Sequence, residues 1–491
     1  MAADPARIAI KDIHFFMRNV RTRMPFKYGV ATLTSVPILH LRLDGELDNG
    51  QVARGWAADI LPPKWFDKDP QKEYEDNVDD LIAVARAAAQ AYASAAGAPQ
   101  SVFDIWYAGY HQTLAFGDDN GLNHLTAGHG SSLLERALID AVGSARGQTY
   151  AQMLSTNVLG IDFGRIHDEL RGIEPSHVLP EQPLDRIAVR HCVGLADPIR
   201  RGDIATSDIL EDGLPQALED YIDEQGLMYF KVKVNGDLDA DLERLGDVAA
   251  LLQARCRDRY SVTLDGNEQY VEMESFQELL AKLESAGSEE LARFYDRIIY
   301  LEQPLERSVA LNKDLATGIR TISERKAMLI DESDGDLDSF KQAVSLGYAG
   351  VSSKNCKGLI KALTNQALAR HYAEQSDLGR PCFLSGEDLM NLPVVPLHQD
   401  LTHAAALGIS HVERNGHHYV RGLDHLSASE RSACVHGHST LYSERDGELV
   451  ALAVESGQID VSSLQVPGLG SGPDVDADSM IPLEEWSFAS L

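Results

Sequence analysis

Residues 228–236 read MYFKVKVNG. Side chains two positions apart share a face of a β-strand, so Lys231 and Lys233 point one way while Val232 and Val234 point the other. The valines imply burial against other elements, which a solvated edge strand does not need. The paired lysines are then directed to the mouth of a closed sheet.

Working outward from this run, short apolar stretches alternate with helical ones from about Asp185 onward, the rhythm of βα units around a parallel sheet. The strand-like runs are Ile187 to Val193, Met228 to Val234, Ser261 to Asp265, Ile298 to Glu302, Met328 to Asp331, Gly350 to Lys354, Pro381 to Leu384 and Gly408 to Val412. Together they predict an α/β fold, a modified (β/α)8 barrel of the TIM type. After the last run, Asn415-Gly416 within HVERNGHHYV (411–420) predicts a β-hairpin, with His417 and His418 as hairpin residues rather than ligands. The chain before the barrel reads as α+β. It has strands over Ile8 to Phe16 and Val36 to Leu43, and a helix from about Lys72 to Ala96. A second helix is marked by the capping-box spacing of Ser132 and Glu135 and stops at Gly147.

Composition narrows the function. At 491 residues the chain exceeds a single core. Its 44 Lys and Arg against 75 Asp and Glu leave a formal charge of −31, which argues against binding nucleic acid or anionic lipid. Five scattered cysteines without metal-type spacing fit a reducing compartment, and no secretory or membrane-spanning pattern is present. A soluble cytoplasmic protein is expected.

The chemistry lies in charged residues repeated at the C-terminal ends of consecutive strands, where such a barrel builds its active site. They are Lys231 and Lys233, Asp265 with Asn267, Glu302, Asp331, and Lys354. Parity agrees across strands: Ile299, Leu301 and Ile330 point outward, Glu302 and Asp331 inward. Carboxylates converging on one mouth repel unless a hard cation holds them, and magnesium suits an all-oxygen set better than zinc or copper. A substrate carboxylate on that ion gains stabilisation as its α-proton leaves. A lysine titrates ordinarily near about 10.4, and Lys231 with the ion would lower Lys233 toward a useful base. Lys354, four strands on, addresses the opposite face of the same carbon.

These segments resemble the enolase superfamily, specifically the muconate lactonizing enzyme-like branch of the mandelate racemase/muconate lactonizing enzyme family. KVK is similar to that branch's paired-lysine motif, LDGN (264–267), LEQPL (301–305) and IDES (330–333) to its ligand strands, and SSKNCKG (352–358) to its far lysine. The resemblance implies that Asp265, Glu302 and Asp331 bind Mg2+, that Lys233 and Lys354 are the acid/base pair, and that Lys231 supports the substrate carboxylate. ERALIDAVGSARGQTYAQML (135–154) resembles a capping-domain helix, and VPGLG (466–470) the usual C-terminal return. The implied organisation is a capping domain over 1–184, a catalytic barrel over 185–442 and a returning segment over 443–491. The partner is a small-molecule carboxylate, and homo-oligomers are common in the family.

Other residues keep two readings. Asn267 either orients a ligand or forms a turn, and Glu387 either supports the far lysine or opens a helix. Glu332 is a reserve ligand or supports one, with Asp331 preferred on parity. RMPFKYG (23–29), with Phe26 and Tyr28, resembles the mobile specificity loop but also suits interface packing. The seventh strand lacks the histidine of the mandelate racemase branch, and the eighth lacks the Asp-x-Asp clamp of dipeptide epimerases. Magnesium-assisted α-proton abstraction by a racemase or epimerase is therefore expected. The alternatives are a lyase (dehydratase) or cycloisomerase, then a Schiff-base aldolase through Lys233 or Lys354 or a non-catalytic binding barrel.

Overall fold

The structure is a computed structural model that describes residues 4–29, 31–373, 381–445, 449–472 and 475–491. Three strands, β1 (Arg7–Tyr28), β2 (Ala31–Leu47) and β3 (Val52–Ile60), form an antiparallel meander, and Ile481–Pro482 pairs with β1. The predicted strand cores lie inside β1 and β2; β3 was not anticipated. The segment 23–29 forms the end of β1, where a register shift between Arg21 and Phe26 turns the chain into the hairpin.

The first helix, α1 (Tyr74–Ala95), matches its prediction within two residues. It packs with α2 (Val102–Asp119) and α3 (His124–Arg146), and α3 lies along β3. The capping-box expectation is overturned here. Asn123 caps α3, accepting from Thr126 N at 2.9 Å, and Ser132 and Glu135 sit in its interior. Burial on almost every side extends the helix past them despite the weak helix formers Gly128 and Gly130 upstream. Ser132 donates back to the His129 carbonyl at 2.8 Å, and Glu135 accepts from Ile360 N at 2.5 Å. Gly147 ends α3 as expected, at φ 63°, a conformation glycine adopts without strain.

The second sheet is a closed ring of eight parallel strands surrounded by helices. In order they are Arg186–Val193, Tyr229–Lys233, Ser261–Asp265, Ile298–Glu302, Ala327–Ile330, Gly350–Ser353, Phe383–Gly386 and His411–Arg414. Each predicted run overlaps its strand, with the largest slips at the seventh and eighth. The long interval between Asp265 and Glu302 is filled by two helices, Met273–Glu284 and Glu289–Asp296. Register brings Lys233 level with Asp265 and Asp265 level with Glu302, so neighbouring strands present their charges at one height of the rim.

The predicted hairpin after the eighth strand does not form; Gly416–Tyr419 is a single helical turn. A tight hairpin turn wants positive φ, but Asn415 lies at φ −109°, with its N–H donating to Asp388 Oδ2 at 2.7 Å. Gly416 is needed for close approach, since a Cβ there would stand 2.9 Å from Leu392 and 3.1 Å from the Asn391 carbonyl oxygen. His418 is buried and His417 half-buried, both among His191 and Tyr221.

The chain then returns. Gln458–Asp460 pairs antiparallel with the start of the first barrel strand, Thr149 bridges Pro467, and Leu469 N donates to Asp140 Oδ1 at 2.7 Å. Cys192, Cys256, Cys356, Cys382 and Cys434 are free and buried. Among the described residues no helix is long and apolar enough to cross a membrane.

Candidate active site

A cavity of about 40 Å3 opens where the β1–β3 sheet meets the C-terminal rim of the barrel. Lys231 and Lys233 enter it from the second strand, Asn267 from beyond the third and Lys354 from beyond the sixth. Phe26 and Tyr28 line it too. Tyr28 is fixed by its hydroxyl, which donates to the Pro63 carbonyl at 2.7 Å, and Phe26 stacks on Tyr419 with ring centroids 4.1 Å apart. The same rings pack at the interface and border the cavity.

Beneath the cavity the charges interleave. Lys231 Nζ donates to Glu302 Oε1 at 2.6 Å, Glu387 Oε2 at 2.8 Å and Glu413 Oε2 at 2.9 Å, and lies 2.9 Å from Asp265 Oδ2. Burial opposes its charge, but Asp265, Glu302, Glu387 and Glu413 outweigh that and hold its pKa well above the ordinary value. Lys233 Nζ donates to Asp265 Oδ2 at 2.5 Å. This contact opposes the lowering of Lys233 expected from Lys231 together with an ion. Burial and Lys231 do act downward, yet Asp265 prevails and the Lys233 pKa is raised.

On the far side, Lys354 Nζ donates to Asp331 Oδ2 at 2.6 Å and lies 4.3 Å from the centre of the Trp65 ring, a cation–π contact. Lys357 holds the other oxygen, Oδ1, at 2.9 Å and also bonds the Asp331 carbonyl. Burial works against the Asp331 charge, but Lys354 and Lys357 overcome it and keep its carboxyl well below the usual range.

Asn267 adopts a positive φ and donates from its backbone to Asp265 Oδ1 at 2.8 Å, while its side chain reaches Glu332 Oε1 at 3.3 Å. Burial, then Asp331 and Glu268, push the Glu332 carboxyl up to about 7. Glu387 opens no helix and does not meet Lys354. It is ion-paired to Arg190 and Lys231 inside the barrel. Arg190, Glu413, Lys357 and Trp65 were missed. Glu413 and Lys357 had a legible signal, charge at or just beyond a strand end, whereas the pairing of Arg190 depends on which strands close the ring.

Among the described residues no three carboxylate, histidine or cysteine side chains stand gathered as an ion-holding group. Lysines lie between Asp265, Glu302 and Asp331. The donor set nevertheless suits a hard cation. Glu302 Oε2 and Glu332 Oε2 are buried without a partner, and burial with Asp265 and Glu387 pushes the Glu302 carboxyl well above its usual range. Added positive charge would relieve that crowding.

No protein-family model matches the chain, and no curated protein sequence matches it. Solved structures do. A muconate lactonizing enzyme from Pseudomonas fluorescens complexed with muconolactone aligns over 96% of this chain and 97% of its own, with TM-score 0.57 and 16% identity. The likeness is one of fold, a closed eight-strand barrel with an N-terminal capping domain. An enolase from Bradyrhizobium complexed with magnesium and mandelic acid covers 95% of this chain and 96% of its own, at TM-score 0.57 and 16% identity. An N-succinyl Arg/Lys racemase from Bacillus cereus covers 96% of each chain at TM-score 0.56 and 16% identity. The structural neighbours thus include a muconate lactonizing enzyme, an L-Ala-D/L-Glu epimerase from Bacillus subtilis and an N-succinyl Arg/Lys racemase.

Proposed function

We propose that this chain is an enzyme of the enolase superfamily that moves the α-proton of a carboxylate substrate, most simply as a racemase or epimerase. One observation carries the reading: Lys233 and Lys354, from the second and sixth positions of an eight-strand ring, border the same cavity. One lysine removes the proton from one face of the α-carbon and the other returns a proton to the opposite face. Lys231 orients the substrate carboxylate from the base of the cavity, and Asn267, Phe26 and Tyr28 bound the substrate. Asp265, Glu302 and Asp331, with Glu332 adjacent, would hold magnesium, which stabilises the negative charge that builds on the carboxylate oxygens as the proton leaves. In this reading residues 1–184 and 443–491 close the cavity over a barrel spanning 185–442.

The test is incubation in deuterium oxide with magnesium and a carboxylate panel of acidic sugars, amino-acid derivatives and lactone precursors. Deuterium at the α-carbon, abolished by chelator, is the expected result. Absence of exchange across the panel rejects the reading, and a borohydride-trapped adduct that forms equally with chelator present would replace it with Schiff-base chemistry.

A further inference from the structure

Each proposed acid/base lysine leads from a barrel strand into a turn, and a buried carboxylate holds each turn through backbone N–H groups. After Lys233 the holder belongs to the barrel. Asp241, in the helix Leu238–Cys256 that follows, accepts from Asn235 N at 2.9 Å and from Gly236 N at 3.0 Å. After Lys354 the holder belongs to the N-terminal domain. Glu135 of α3, 1% exposed, accepts from Ile360 N at 2.5 Å in the first turn of the helix Leu359–Ala373.

The chain between Lys354 and that helix is short and tightly wound. Lys357 N donates to the Lys354 carbonyl and Gly358 N to the Asn355 carbonyl, each at 3.0 Å, and Gly358 then takes φ 97°. Gly358 has no side chain with which to cap the helix, so the Ile360 N–H is met by Glu135 across the domain boundary. The fit is close: a Cβ on Gly358 would stand 2.8 Å from Glu135 Oε2. Burial pushes the Glu135 carboxyl up to about 7, against the pull of Ile360 N and Arg136. Moving the turn away would strand the Ile360 N–H without a partner, which resists displacement. The same turn carries Lys357, whose ammonium shares Asp331 with Lys354.

Resting on the proton-transfer reading above, we infer that Glu135 is a positioning residue for Lys354, through which the N-terminal domain sets proton transfer at one face of the α-carbon and leaves the other face to the barrel. Glu135 does not line the cavity. It acts by fixing where the turn, and with it the Lys354 and Lys357 ammonium groups, stands beside Asp331. Trp65, from the chain after β3, adds a second contact from the same domain to the same lysine.

The test follows deuterium exchange with magnesium from each enantiomer of a panel carboxylate that the wild-type enzyme exchanges, the Lys354 face being the one lost in Lys354→Ala. Glu135→Leu should lower kcat at that face by about 10- to 100-fold, with KM within about twofold and the Lys233 face within about threefold of wild type. Glu135→Gln keeps an acceptor for Ile360 N and should restore the rate to within about fivefold. The control is Asp140→Leu, further along α3, where the carboxylate accepts from Trp56 N at 2.9 Å and Leu469 N at 2.7 Å; it should change both faces alike. Should Glu135→Leu not fold, Gly358→Ala takes its place by driving a methyl group against Glu135 Oε2, and the Lys354 face is again the one to fall. Equal loss at both faces, an unchanged Lys354 face in a folded variant, or the same selectivity in Asp140→Leu overturns the inference and leaves the proton-transfer reading intact. Absence of exchange by the wild type across the whole panel overturns both.

Discussion

The two sides of the cavity handle buried charge in opposite ways. Around the second strand one cation is shared among many anions, Lys231 among Asp265, Glu302, Glu387 and Glu413 from the third, fourth, seventh and eighth strands or just beyond them. On the side of the fifth and sixth strands one anion is shared among cations, Asp331 between Lys354 and Lys357. The difference teaches that Lys233 and Lys354 are not interchangeable although both are buried lysines on an aspartate. Lys233 and Lys231 crowd onto one oxygen of Asp265, Oδ2, whereas Lys354 and Lys357 take different oxygens of Asp331 and Lys354 has an aromatic ring against its ammonium.

The comparison is broken or sharpened first by removing each lysine. Lys233→Ala and Lys354→Ala should each cut α-proton exchange from one face by about 10²- to 10⁴-fold, read as deuterium incorporation from each enantiomer separately. Loss of the same face in both variants would show that the lysines do not oppose each other.

Next comes stability. Lys231→Met leaves four carboxylates around an empty centre and should cost about 3–5 kcal/mol in urea unfolding. Lys357→Met leaves Asp331 its contact with Lys354 and should cost only about 1.5–3 kcal/mol. Equal losses would erase the asymmetry.

A smaller effect is expected from Trp65→Leu. Removing the ring beside Lys354 should withdraw about 0.5–2 kcal/mol of support for its charge and change exchange on that face by up to about tenfold. The Lys233 face should stay within about twofold of wild type, measured with the same enantiomers.

Acid sensitivity must be apportioned before the two sides are compared at low pH. His129 in α3 is buried with neither ring nitrogen hydrogen-bonded, Asp59 Oδ2 standing 3.8 Å from Nδ1, and burial, then Arg136, lowers its pKa to about 3. Between pH 6.5 and 3 the unfolded chain therefore binds a proton there that the folded chain refuses, so stability falls as pH falls through that window. His129→Leu should lose less stability than wild type between pH 6.5 and 5, by at most about 2 kcal/mol in urea titrations. Parallel losses in the two proteins would assign the sensitivity elsewhere.

Much of this was readable in particular residues. The alternation in MYFKVKVNG and the acids ending the next three strands foretold which side chains face the barrel mouth, because strand parity is local. Local signals also misled. Ser132 and Glu135 have capping spacing, yet tertiary burial carried α3 through them, and Asn415-Gly416 has hairpin chemistry, yet Asp388 and Leu392 set its conformation. In both cases a contact from a distant part of the chain outweighed a preference among neighbours.

The sequence by itself determined the order of strands, the identity of the charged rim residues and the face each occupies, since these follow from periodicity and composition. Only the tertiary structure decided the partners: Glu387 on Arg190 and Lys231 rather than Lys354, and Lys357 on Asp331. Pairing in a closed barrel depends on distances across the ring, and those arise only when its first and last strands join.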